Sequence, residues 1–159
     1  MIGDITPGHY DQILTINQEF VHWLSPLDRD RLQYILSIAS YARQIEDARG
    51  ILIGYPHDAN YPDHKNLMWL NRHAENFFYI ERVIIDASVQ GRGYGRQLYR
   101  DVEEFVRSNG YSSLVCDVNT KPDNPGSHGF HLALGFKVMG EEDYPQYDVS
   151  LRYYEKKLS

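Results

Sequence analysis

The sequence predicts a single α/β domain, and three observations carry that prediction. A length of 159 residues suffices for one domain with its own core, and 42% hydrophobic with 13% aromatic residues is a globular composition. Segments with the two-residue period of strands alternate with segments of helical period, without an internal repeat, linker or low-complexity tract. Near the middle, the β-branched run Val83-Ile84-Ile85 leads to three alternating glycines, Gly91, Gly93 and Gly95, and then to an amphipathic stretch.

From the N-terminus, Met1 to Ile5 reads as a short edge strand closed by Thr6-Pro7-Gly8, and Ile13, Leu14, Ile16 and Phe20 mark a first helix. Ser25-Pro26-Leu27-Asp28 offers a break and a cap. Leu32, Ile35, Leu36, Ile38 and Ala39 then mark a second helix. Tyr41 to Glu46 and Ile51 to Tyr55 form a hairpin around Asp47-Ala48-Arg49-Gly50. The stretch from Pro56 to Asn76 shows no clean period and holds Tyr61, Trp69, His57, His64, His73, Asp58, Asp63, Asn60, Asn66, Asn71 and Arg72. Connections of that length tend to be functional, so an ordered loop on the substrate side, anchored by Trp69 and Leu70, is expected.

Phe77 to Ile85 is the long central strand. After the glycines, Leu98, Val102, Phe105 and Val106 share one helical face, and Asn109-Gly110 stops the helix. Ser113 to Val118 reads as a buried strand, Ser127 to Leu134 as a helix stopped by Gly135, and Val149 to Glu155 as a last strand.

Composition narrows the partners. A formal charge of -6 without a Lys/Arg-rich block argues against nucleic acid and suits cationic molecules such as amines. One cysteine, Cys116, excludes an internal disulfide framework and points to the cytoplasm, and no apolar run approaches the roughly 20 residues of a membrane span. Trp23 and Trp69 read as surface aromatics suited equally to a pocket or to a homodimer interface. No His-x-x-x-His pair with a third ligand occurs among the seven histidines, so no metal is expected.

Glycines between a strand and a helix let backbone amides and the positive helix end approach a phosphate. A dinucleotide fingerprint fails at Arg96 or Leu98, and a phosphate loop of the Walker type fails at Gly95-Arg96-Gln97. The segment instead resembles the Gln/Arg-x-x-Gly-x-Gly/Ala signature of the GNAT acyl-CoA N-acyltransferases, met by Gln90, Gly93 and Gly95. A second stretch, Asn124-Pro125-x-Ser127-x-x-Phe130-His131-x-x-x-Gly135-Phe136, resembles the family's later motif, with His131 where the family has tyrosine. Its Asn-Pro-x-Ser-x-x-Phe-His form is similar to a bacterial subgroup of predicted GNAT acetyltransferases.

The resemblance covers nearly the whole chain and implies a GNAT-like fold, a mixed, mostly antiparallel sheet flanked by helices. It implies acetyl-CoA as cofactor and a primary amine of a small molecule or peptide as acceptor. Backbone groups at Val83 and Ile85, with Ile84 between them, would hold the pantetheine and polarise the thioester. Gln90, Gly91, Arg92, Gly93, Tyr94, Gly95 and Arg96 would grip the pyrophosphate, and Asn119, Asn124, Ser127, Phe130 and His131 would line the thiol end.

Amide formation needs a neutral amine, an oxyanion donor and help for the leaving thiolate. Glu81, two residues before Val83 and by strand alternation on its face, is the expected base, unless it is satisfied by Arg82 or Arg43. Tyr79, on that face again, and Trp69 are expected to position substrate. His131 takes the place of the tyrosine proposed to protonate the thiolate, with a structural hydrogen-bonding role as the alternative and Tyr144 and Tyr147 as substitutes. Cys116 reads as a packed thiol. A non-catalytic acyl-CoA-binding or regulatory module stays open beside the enzyme.

Overall fold

A computed structural model describes residues 1–158. Its elements run β1 (Ile2–Asp4), α1 (Tyr10–Glu19), α2 (Arg29–Ile38), β2 (Tyr41–Ile45), β3 (Gly50–Pro56), α3 (Lys65–His73), β4 (Phe77–Ile85), α4 (Tyr94–Ser108), β5 (Ser113–Lys121), α5 (Pro125–Ala133), β6 (Lys137–Tyr144) and β7 (Val149–Lys157). The strands form one sheet in the order β1-β2-β3-β4-β5-β7-β6. Every pairing is antiparallel except β4 with β5.

Each face of the sheet carries its own core. On one side, Ile13 and Ile16 of α1, Leu32 and Ile35 of α2 and Leu67 and Leu70 of α3 pack on Ile53, Tyr55, Phe77, Tyr79 and Tyr153. On the other, Leu98, Tyr99, Val102 and Val106 of α4 pack on Leu52, Phe78, Ile80, Cys116 and Tyr154. The strong apolar stripe of α4 therefore does what its period predicts, and burial of those side chains is the main force seating the helix.

Two elements depart from the prediction. The segment Pro56 to Asn76 is not a loop throughout, because α3 occupies its second half. The helix buries Asn66, Leu67, Trp69 and Leu70, and since one of these is polar the helical period does not show as hydrophobicity. The sequence also predicts six strands where there are seven. The additional one, β6, is an exposed edge strand carrying Glu141, Glu142 and Asp143, charges that protect a sheet edge but hide its strand character.

The central pairing holds the feature that builds the site. β4 and β5 are in register only at Phe77, Phe78 and Tyr79 opposite Ser113, Leu114 and Val115. Beyond Tyr79 the two strands part, β4 staying on β3 and β5 on β7. The sheet thus forks at its centre, with β4 on one arm and β5 on the other.

Candidate active site

The β4 arm offers free backbone. The Asp86 N–H donates to the Arg49 carbonyl at 2.7 Å, and antiparallel alternation from that bond makes Ile84 with Ile51 a hydrogen-bonded pair. Val83 and Ile85 fall at the intervening positions opposite Leu52 and Gly50, so their N–H and C=O groups point away from β3 and into the fork. Ile84 turns its backbone to β3 and its side chain into the α1 core. The Ile85 carbonyl accepts the side-chain amide of Gln90 at 3.3 Å, which ties the strand end to the glycine turn.

At that turn, Gly91 and Gly93 have φ of +86° and +80°, and a β-carbon at either would meet nothing within 4 Å. The turn is therefore bare on its outer side and held in a conformation that disfavours other residues. Gly93 caps α4, whose first turn carries exposed Arg96. Exposed Arg92 forms an ion pair with Glu46 at 3.6 Å, and the Tyr94 hydroxyl donates to the same Glu46. Free helix N–H groups, a bare turn and two arginines make an anion cradle, and the unpaired arm of β4 continues it toward the fork.

The α5 segment that the resemblance assigns to the thiol end is built around two histidines. His131 is buried, donating from Nδ1 to the Ser127 carbonyl at 2.8 Å and accepting at Nε2 from the Tyr99 hydroxyl at 2.6 Å. His128 repeats the arrangement, donating from Nε2 to the Asn119 carbonyl at 2.8 Å and accepting at Nδ1 from Tyr154 at 2.6 Å. Burial pushes the His131 ring below its ordinary value, so it is neutral and both its nitrogens are engaged. Asn124 caps α5 by accepting the Ser127 N–H at 3.4 Å, while Phe130 packs on Gly95 and Tyr99. Asn119, Asn124, Ser127, Phe130 and His131 thus gather where β5 meets α5, and Cys116 is a buried thiol raised above its ordinary value by burial.

Glu81 is not on the face of Val83. The pairing passes from Ile53 opposite Arg82 to Gly54 opposite Ile80, leaving Glu81 as the extra residue of a β-bulge. The bulge reverses the alternation, so Tyr79 and Ile84 lie in the α1 core although one is odd and the other even, while Val83 and Ile85 pack on the α4 side. Glu81 is paired with its neighbour Arg82, Oε2 to Nε at 3.2 Å and Oε1 to Nη2 at 3.3 Å, and both side chains are buried, at 6% and 3% exposed. Arg82 also donates to Asn17 of α1 at 2.5 Å and to the Ser25 hydroxyl at 2.9 Å, fastening the α1–α2 connection over this arm of the fork. Arg43, the other partner considered for Glu81, pairs instead with Asp4 and Asp101.

Across the fork stands Asp117 of β5, which the prediction passed over. Its Oδ2 accepts from the Tyr79 hydroxyl at 2.5 Å, and burial raises its carboxyl above the ordinary value against the lowering effect of that bond. Tyr79 in turn accepts from Asn66 at 3.2 Å, and Asn66 accepts from Tyr153 at 2.9 Å. A carboxylate interrupting the buried run Leu114-Val115-Cys116-Asp117-Val118 is the sequence signal that marks it. Trp69 is not a surface residue: at 4% exposed it stacks on Tyr153, with ring centroids 4.0 Å apart, and serves the wall of this network. Trp23 donates to the Asp123 carbonyl at 2.8 Å and so joins the α1–α2 connection to the start of α5. Among the described residues, no group of three or more His, Cys, Asp or Glu could hold a metal, and no helix is long and apolar enough to cross a membrane.

Residues 15–136 match the model of the Acetyltransferase (GNAT) family. N-acetylaspartate synthetase of Danio rerio is 33% identical over 75 residues, 46% of this chain and 26% of that protein. The chain spans about a quarter of the length of the curated relatives it matches. Among solved structures, Ard1 from Thermoplasma volcanium superposes with a TM-score of 0.78 at 13% identity, covering 99% of this chain and 96% of that one. The yncA structure from Salmonella typhimurium, solved with its cofactor acetyl-CoA, gives 0.71 at 16% identity, with 100% and 94% covered.

Proposed function

Because the chain belongs to the GNAT family of acetyltransferases, we propose that it transfers an acetyl group from acetyl-CoA to a primary amine by direct attack, in the cytoplasm. The observation that supports this most is the continuity of two surfaces. The bare glycine turn at Gly91 and Gly93 runs into the unpaired backbone of Val83 and Ile85, and that backbone ends at the carboxylates of the fork.

Acetyl-CoA supplies an acetyl group already activated as a thioester. The residues present fit such a molecule: amides of Gly91 to Arg96 would hold its pyrophosphate with the positive end of α4 behind them, and Arg92 and Arg96 would neutralise it. Backbone N–H groups of the β4 arm would hold an extended amide-bearing chain as a missing strand would, with an N–H left to stabilise a developing oxyanion. Asn119, Asn124, Ser127 and Phe130 close the far wall. His131 keeps that wall in place through Ser127 and Tyr99.

The acceptor reaches the fork from the side of α1, α2 and α3. Glu81 and Asp117 lie there with Arg82, which is spent on Glu81, Asn17 and Ser25, and within the field of Lys65; the Asp117 carboxylate, which has no direct ion-pair partner among the described residues, favours an acceptor carrying positive charge, a small amine or the amino group of a peptide. An amino-acid acceptor such as aspartate, suggested by the name of the Danio rerio relative, would bring its own carboxylates against that pair.

The experiment is an acceptor screen with acetyl-CoA that reads out free thiol, using monoamines, polyamines, amino acids and short peptides. Turnover with cationic amines above that with acidic amino acids is expected. Coenzyme A binding without turnover on any amine would leave only the acyl-CoA-binding module.

A further inference from the structure

Two carboxylates face the fork, and the fold treats them differently. Each lies two residues beyond the last β4–β5 pair, Glu81 after Tyr79 and Asp117 after Val115. Both oxygens of Glu81 are spent on Arg82. Asp117 has only Oδ2 engaged, by Tyr79, and among the described residues no hydrogen-bond donor meets Oδ1. Nor is Oδ1 sealed: the one fully buried side-chain nitrogen or oxygen without a partner among the described residues is Arg43 Nε. Oδ1 therefore keeps some accessible surface and a free acceptor position.

A chain of donors fixes that orientation. Tyr153 donates to Asn66 Oδ1 at 2.9 Å, which leaves Tyr144 as the donor in the 2.6 Å contact between the two phenols. Asn66 Nδ2 then donates to Tyr79 at 3.2 Å, and Tyr79 donates to Asp117 at 2.5 Å. Every bond points the same way and ends on one carboxylate oxygen. An amide in the middle cannot pass a proton along, so the chain is a brace and not a wire. Burial holds Tyr79 and Tyr153 well above the ordinary phenol value, so both stay protonated donors.

We propose that Asp117 takes the proton from the acceptor's ammonium group, and that Tyr79, Asn66 and Tyr153 are the residues that position it. This assignment rests on the amine-acetylation reading above. In the step, an N–H bond of the ammonium breaks and an O–H bond forms on Asp117 Oδ1, leaving the amine its lone pair. The C–N bond forms as the C–S bond of the thioester breaks; the second nitrogen proton goes to the departing thiolate, and Asp117 returns its proton to water. Glu81 then has a different task, holding Arg82 and through it Asn17 and Ser25 over the entrance. The elevation of the Asp117 carboxyl by burial makes it a better proton acceptor than a solvated aspartate.

The test uses the whole protein and the best amine from the screen, with turnover followed from acidic to alkaline pH for Asp117→Asn, Tyr79→Phe and Glu81→Gln. Asp117→Asn is expected to lose roughly 10²–10⁴-fold in kcat at neutral pH and to recover as the amine deprotonates by itself, with coenzyme A affinity by calorimetry unchanged. Tyr79→Phe removes a bond that lowers the Asp117 carboxyl, so the acid limb of its kcat profile should move to higher pH, a shift that a purely structural role would not produce. If Asp117→Asn matches wild type across the profile, or Glu81→Gln alone reproduces the loss, the assignment is overturned while acetylation stands. Should Asp117→Asn fail to fold, an unmoved acid limb in Tyr79→Phe overturns it equally. Wild type inert toward every amine while binding coenzyme A would overturn the acetylation reading and this assignment with it.

Discussion

Phe130 of α5 lies against the backbone of Gly95 in the first turn of α4, so close that a β-carbon on Gly95 would sit 3.0 Å from the tip of the ring. The third glycine of the turn therefore sets how near the two helices approach, whereas the first two leave the surface bare. Gly95→Ala is expected to push Phe130 aside, at a cost of about 1–3 kcal/mol in chemical denaturation. It should also weaken coenzyme A binding through the displaced α5. Wild-type stability in this variant would mean that Phe130 yields freely.

Gly93 has no such neighbour, and its substitution acts through the backbone alone. At φ of +80° a β-branched residue is strained by about 1–3 kcal/mol and its branches project over the open side of the turn. Gly93→Val should lower coenzyme A affinity about tenfold or more by calorimetry, equivalent to about 1.4 kcal/mol or more. Unchanged affinity would move the pyrophosphate away from the turn.

The contrast between these glycines was legible only in part from the sequence. β4 and α4 stand where the β-branched run and the apolar stripe of Leu98, Val102, Phe105 and Val106 place them, because both elements bury the residues that carry their period. α3 was hidden because a buried asparagine takes one of its core positions, and β6 because an edge strand carries charge. The side-chain facing of Glu81 went astray for a tertiary reason: strict alternation has no room for a bulge. Its sequence trace is Gly54, directly across on β3, where a β-carbon would stand 2.5 Å from the Phe78 ring and 2.9 Å from the Tyr79 carbonyl. Asp117 leaves one trace in the sequence, a carboxylate inside a buried run, but its place at the fork comes from the parting of β4 and β5, which the register reveals.

His131 illustrates how one residue can be read two ways until its partners are known. With Nδ1 donating to Ser127 and Nε2 accepting from Tyr99, the neutral ring has no spare proton to give. His131→Ala should cost about 2–4 kcal/mol of stability, from the cavity and from a buried Tyr99 hydroxyl left without its acceptor. Turnover should fall by about tenfold or less, with no recovery at alkaline pH. His131→Asn, which keeps polar atoms on that side chain, should regain part of the stability. A loss in kcat of a thousandfold or more at preserved stability would instead make the ring the thiolate's acid.

His64 gives the acceptor side of the fork a dependence on acid. Its Nδ1 accepts the Leu67 N–H at 3.2 Å and so caps α3, while Nε2 bonds the Tyr55 hydroxyl at 3.2 Å, which requires the neutral ring. Burial lowers its pKa from 6.5 to about 4. The unfolded chain therefore binds a proton at higher pH than the native one, and the stability this residue contributes is complete above about pH 6.5 and declines as the pH falls toward 4. The loss is expected to be on the order of 3 kcal/mol at most, and it falls on the helix that carries Asn66 and Trp69 into the wall of the fork. His64→Asn keeps a capping side chain without a titrating group and should flatten the stability profile between those two pH values. An equally steep acid-side decline in that variant would assign the titration to another group and leave His64 a cap alone.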